Sequence, residues 1–136
     1  MPIKVEIISP EKVLVSRDVD MAVMPGEEGD IAAMPEHAPM MLLLRGGTVS
    51  LYEGETVTDR YFVAGGFADM TATRCTILAD QAVPVTEISI DSATARLEEL
   101  TEAWDAADKS DITRLDGLMA KIQSVRAEIE AGLPPE

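Results

Sequence analysis

"TVSLYEGETVTDRYFVAGGF", residues 48–67, alternates apolar and polar side chains on both sides of Glu53-Gly54-Glu55 and breaks at Gly65-Gly66. A period of two puts the apolar residues on one face of a strand, and a glycine at the tip lets two such strands turn back on one another. The stretch therefore predicts strand, turn, strand. Working outward, Ile3, Val5 and Ile7 alternate with Lys4 and Glu6, and residues 13–16 and 19–24 are further short β-branched runs. "RCTILAD" (74–80) adds another, with Cys75, Ile77 and Ala79 opposite Thr76 and Leu78. Short strands with turn residues between them and no helical period before Pro84 predict that residues 1–86 form an antiparallel β-sandwich or flattened barrel.

Beyond Pro84 the apolar period lengthens to between three and four. Ile90, Ala93, Leu97, Leu100, Trp104 and Ala107 line one side of a first helix, whose acids Glu98, Glu99, Glu102 and Asp105 form a solvated face. "DKSD" interrupts it, and Ser110 or Asp111 can cap a second helix carrying Ile112, Leu115, Leu118, Met119, Ile122, Val125 and Ile129. Gly132 ends that helix as a left-handed cap, with Pro134-Pro135 beyond it. So short a link folds the pair into an antiparallel hairpin, giving a second region over residues 87–136. Two helices with one apolar stripe each have little interior. They must dock, through Leu97, Leu100, Trp104, Leu115 and Ile122, on the β half or on another protein.

The chemistry the composition allows is narrow. Twenty-five acids against 11 bases leave a formal charge of −14, spread evenly over both regions, which argues against nucleic acid. One cysteine excludes an internal disulfide, and with one histidine it leaves no metal-ligand cluster. The N-terminus lacks the pattern of a targeting segment, and the longest apolar run, Met40 to Leu44, is far below the roughly 20 residues of a membrane helix. His37 has no second histidine, nucleophile motif or paired carboxylate beside it, so catalysis is not expected. Gly65-Gly66 reads as a bulge or close backbone approach and Cys75 as an inert buried thiol. Met34, Met40 and Met41 fit either an interface or the core.

Three segments resemble the epsilon subunit of bacterial F-type ATP synthases. "MPGEEGDIAAMPEHAPMMLLL" from Met24 is similar to the family's P-G-x-x-G-(D/E)-(I/L)-G-x-x-P-G-H-A-P-L-L, "YFVAGGFADMT" (61–71) to F-x-V-x-G-G-F-x-E-V, and "TILADQAV" (76–83) to T-V-L-A-D-x-A. The resemblance implies a non-catalytic subunit of the central stalk, bound to the gamma subunit and the c-ring, that couples proton flow to ATP synthesis in the alpha and beta subunits. It places Asp30 and His37, with Glu28 beside them, in loops facing the c-ring, and implies the cytoplasmic face of the bacterial inner membrane. It also implies a hairpin able to leave the sandwich and block ATP hydrolysis.

The departures are specific. Members that bind ATP carry I-D-x-x-R-A, whereas here Ile90 and Asp91 are followed by Thr94 in the arginine's place, so no nucleotide or other cofactor is expected. Arg96, about 200° further round the helix, is a poor substitute. The second helix sets Arg114, Lys121 and Arg126 against Asp111, Asp116, Glu128 and Glu130, which predicts a weak brake. Ala32 and Glu36 replace two loop glycines, so the loop geometry is expected to shift. The rival readings are a free-standing binding module with a helical oligomerisation hairpin, and a small enzyme built on the His37 loop.

Overall fold

The computed structural model describes residues 2–36 and 38–132. Among them are ten strands: β1 (Ile3–Ile8), β2 (Val13–Val19), β3 (Met21–Gly26), β4 (Gly29–Ala33), β5 (Met40–Leu44), β6 (Gly47–Glu53), β7 (Thr56–Val63), β8 (Gly66–Met70), β9 (Arg74–Ala79) and β10 (Ala82–Pro84). A 3₁₀ turn (Val85–Glu87) leads to α1 (Ile90–Ala106) and α2 (Ile112–Gly132).

The strands follow the path β10-β7-β6-β3-β5-β8-β9-β1-β2, with β4 on the remaining edge of β3. One bridge, Gly26 to Leu44, joins β3 to β5. The sheet thus folds into two layers, β10-β7-β6-β3-β4 and β5-β8-β9-β1-β2, over a shared aliphatic core. At the far edge Arg17 of β2 reaches across to Asp59 of β7 at 2.5 Å and bonds the Thr58 hydroxyl, closing the seam. Alternation works as the sequence requires: Ile3, Val5 and Ile7 are buried against Cys75 and Ile77. Two details differ from the expectation. β1 and β9 pair in parallel, which the long intervening chain permits. The second and third strands divide at Asp20 rather than before Val19: its carboxylate accepts the Gly54 N–H at 2.6 Å and its own N–H donates to Tyr52 at 2.9 Å, pinning a turn.

Gly65 and Gly66 hold φ of +123° and +131°, a region closed to side chains. A Cβ on Gly66 would lie 2.1 Å from the Leu78 carbonyl oxygen, so the predicted close approach is the one that lets β8 meet β9. Cys75 is fully buried, and burial pushes its thiol up to about 12, with nearby Asp69 adding to the effect.

In the hairpin Ser89 caps α1, accepting the Ser92 N–H at 3.2 Å, and Asp111 caps α2, accepting that of Arg114 at 3.2 Å. Ala107 lies just beyond α1, where Lys109 bonds the Trp104 carbonyl and stands over the Trp104 ring. Leu118, Ile122 and Val125 are buried, while Leu97, Leu100, Trp104 and Leu115 are partly so. Ile112, expected on the stripe, is 64% exposed because it opens α2 beyond the end of α1. Glu128, read from sequence as one charge among several, is buried at 9% exposure and grips Arg96 with both oxygens, at 2.6 and 3.2 Å. That hydrogen bonding raises the Arg96 pKa.

α2 is the helix that meets the head, and it does so through small residues. A Cβ on Gly46 would lie 2.7 Å from the Ser124 hydroxyl; within the helical region itself, one on Gly132 would lie 2.8 Å from Ile88, just before α1. Gly132 has no positive φ, so its role is this close contact and not the left-handed cap expected. Pro134 and Pro135 lie outside the described residues.

Three outcomes follow from this packing. Gly66→Ala loses about 3 kcal/mol or more in denaturant unfolding, through strain and a backbone clash that no side-chain rotation relieves. Stability is fully present below pH 9 and declines as the pH rises from there towards about 12, because the unfolded chain ionises Cys75 while the folded chain holds it neutral. Denaturation series at pH 8 and pH 10, with Cys75→Ala flattening the difference, check the sign. Glu128→Ala destabilises the hairpin by about 1–3 kcal/mol, since a buried charge-assisted pair is broken, and Trp104 fluorescence follows the loss.

Candidate functional site

The β3–β4 turn presents Glu27 and Glu28, both exposed, before Gly29 at φ +137°. Asp30, first along β4 after it, is exposed but paired with Arg45, which follows β5, at 2.8 Å. Glu28 and Asp30 are thus brought together at one end of the head. His37 lies outside the described residues. Its neighbour Glu36 belongs to the other end of β4, roughly 16 Å of strand away. There its N–H donates to the Ala72 carbonyl at 2.7 Å, at the β8–β9 turn. Glu36 has φ +66°, the left-handed region where glycine is at ease. A glutamate at this position accepts that strain.

The other feature of this face was not singled out from the sequence. Register sets Leu43 opposite Phe67, Phe67 opposite Leu78, Leu78 beside Ile8, and Ile8 opposite Val13. The five form a row across β5, β8, β9, β1 and β2 on the side away from the core. Leu43 is 59%, Val13 56%, Leu78 38% and Phe67 37% exposed. Met41 is 68%, Met34 49% and Met40 41% exposed, so of the two readings left open for these methionines the core is excluded. A signal for the row existed: Met40 to Leu44 is apolar at five successive positions, and a strand with one face in a core must turn the alternate ones outward.

At the hairpin, Ile90 and Asp91 open α1 and Thr94 is exposed. Arg96 points at α2 and is held by Glu128. Clefts flank the Ser124–Gly46 contact, one of them about 790 Å³ and lined by Arg45, Arg126, Asp80 and Glu130 among others. Among the described residues no group of three or more His, Cys, Asp or Glu could hold a metal ion, and no helix is long and apolar enough to cross a membrane.

Comparison with known proteins bears on this geometry. Residues 2–85 match the family described as ATP synthase, Delta/Epsilon chain, beta-sandwich domain. The chain is 67% identical to the ATP synthase epsilon chain of Gluconacetobacter diazotrophicus over 99% of its own length and 96% of that protein's. It is 56% identical to the one from Granulibacter bethesdensis, with 93% of each covered. Its fold is shared with a chain of the Euglena gracilis mitochondrial ATP synthase (OSCP/F1/c-ring, rotational state 1), at TM-score 0.75 and 21% identity over 93% of this chain and 80% of that one. A chain in the central stalk/c-ring structure of the Tetrahymena thermophila mitochondrial enzyme gives 0.68 and 14%, with 98% of each covered. The β head, the two-helix tail and near full-length identity to epsilon chains agree: this chain belongs to the ATP synthase delta/epsilon family, among its epsilon chains.

Proposed function

We propose that the chain is a non-catalytic rotor subunit of a proton-translocating F-type ATP synthase, carried in the central stalk and coupling rotation of the c-ring to ATP synthesis. The observation that supports this best is the outward apolar row Leu43, Phe67, Leu78, Ile8 and Val13. It is too continuous across five strands to suit solvent, and it lies on the same head as the acidic turn. In this reading residues 1–86 are the binding head. The apolar row packs on the gamma subunit, and Glu28, Asp30 and His37 face basic groups of the c-ring. Residues 87–136 are the regulatory tail. The complex sits at the cytoplasmic face of a bacterial inner membrane, with this chain peripheral.

The tail in this proposal is a weak brake that needs no nucleotide. Arg96, the cation nearest the missing arginine, is engaged by Glu128, and the acids of α2 oppose a grip on the acidic segments of the alpha and beta subunits.

Co-purification with the gamma subunit of the same organism tests the assignment. Leu43→Asp with Phe67→Asp lowers that affinity about a hundredfold while the isolated variant stays folded; undiminished association overturns it. Glu28→Lys with Asp30→Lys weakens pull-down of the c-ring. Calorimetry with ATP gives no heat of binding up to millimolar concentration.

A further inference from the structure

β5 carries part of the apolar row on its face and also has an open edge. At its bridge with β3 the Glu27 N–H donates to the Leu43 carbonyl at 3.0 Å, and the Arg45 N–H donates to the Pro25 carbonyl at 2.9 Å. The backbone groups of Leu43 and Arg45 therefore point away from β8, and with the period of a strand so do those of Met41. β3 ends at Gly26, before it can reach Met41, and β4 pairs with β3 alone. On that side the Met41 N–H and C=O meet no backbone partner among the described residues. A groove of about 630 Å³ follows this edge, lined by Ile31, Leu42, Met40 and Met41, with Glu27 and Glu28 also lining it. Asp30, also at the groove, is paired with Arg45 and Glu28 is assigned to the c-ring, so Glu27 is the carboxylate left to face this ligand.

An apolar, unpaired edge is a template for a further strand. We infer that the β5 edge receives an extended segment of the stalk partner. That segment hydrogen-bonds the Met41 backbone, lays an aliphatic side chain against Leu42 and Ile31, and sets a Lys or Arg beside Glu27. The inference rests on the assignment of the apolar row to the gamma subunit, because the same strand carries both surfaces. Charge selects this occupant over a second copy of the chain: two copies each at −14 would bring their acidic side chains together.

The test uses the full chain and the gamma subunit of its own organism, with residue-resolved amide exchange and titration of variants. The Met41 amide slows at least tenfold in the complex. Met41→Pro, which removes the edge N–H and leaves the bonds to β8, binds about tenfold more weakly than Met41→Ala. Glu27→Lys also binds several-fold more weakly, and its binding responds less to salt. Binding that is lost in the Leu43→Asp, Phe67→Asp variant but leaves Met41 exchange unchanged and Met41→Pro equal to Met41→Ala overturns the inference and leaves the stalk assignment standing. Absence of any binding by the unaltered chain overturns both. Protection of Met41 in a self-associated chain without the gamma subunit overturns the inference in favour of a second copy.

Discussion

The parallel pairing of β1 with β9 is the constraint on which the rest of the head depends. It joins the first strand of the chain to one that arrives some seventy residues later, and it places Ile3, Val5 and Ile7 beside Cys75 and Ile77 at the centre of the core. Because these side chains are small and branched, the two layers pack closely over them, and among the described residues the buried cluster between them contains no aromatic ring. Burial of that kind stabilises by about 1.5–3 kcal/mol per large aliphatic side chain, and it fixes the register of every neighbouring strand, since a slip of one residue would turn the buried set outward. The register that buries Val5 and Ile77 is also the one that lines up Leu43, Phe67, Leu78 and Ile8 on the opposite face. Core and exposed apolar row are two sides of one alignment.

The head and the tail are held by interactions of different kinds. The head closes through ladders, an aliphatic core and the Arg17 seam. The tail meets it where glycine permits, at Gly46 under Ser124, with a polar cleft alongside. Its two helices are tied more firmly to each other, by Leu118, Ile122 and Val125 and by the Arg96–Glu128 pair, than to the sandwich.

The places where the chain departs from its family's pattern are informative because each has a physical consequence. Glu36 occupies a left-handed position without the freedom of glycine, and a backbone hydrogen bond to Ala72 holds it there. Thr94 stands exposed on α1, and Arg96, two positions on, turns inward to a carboxylate of the same chain. The anion that the helix pair holds is its own.

What the sequence determined by itself was whatever depends on local period and turn chemistry. Alternation at Ile3, Val5 and Ile7, the tip at Gly54, the break at Gly65-Gly66 and the lengthened period after Pro84 were legible because each is a property of a few adjacent residues. The motifs from Met24 onward indicated the family, and with it Glu28, Asp30 and His37 as candidate loop residues. Tertiary structure decided everything that arises from pairing distant segments: that β1 and β9 run parallel, that β5 keeps an unpaired edge, and that five apolar residues from five strands form one exposed row. It also separated Glu128 from the other charges of α2, because whether a carboxylate is solvated or buried depends on which cation the opposite helix brings to it, and helical period carries no record of that.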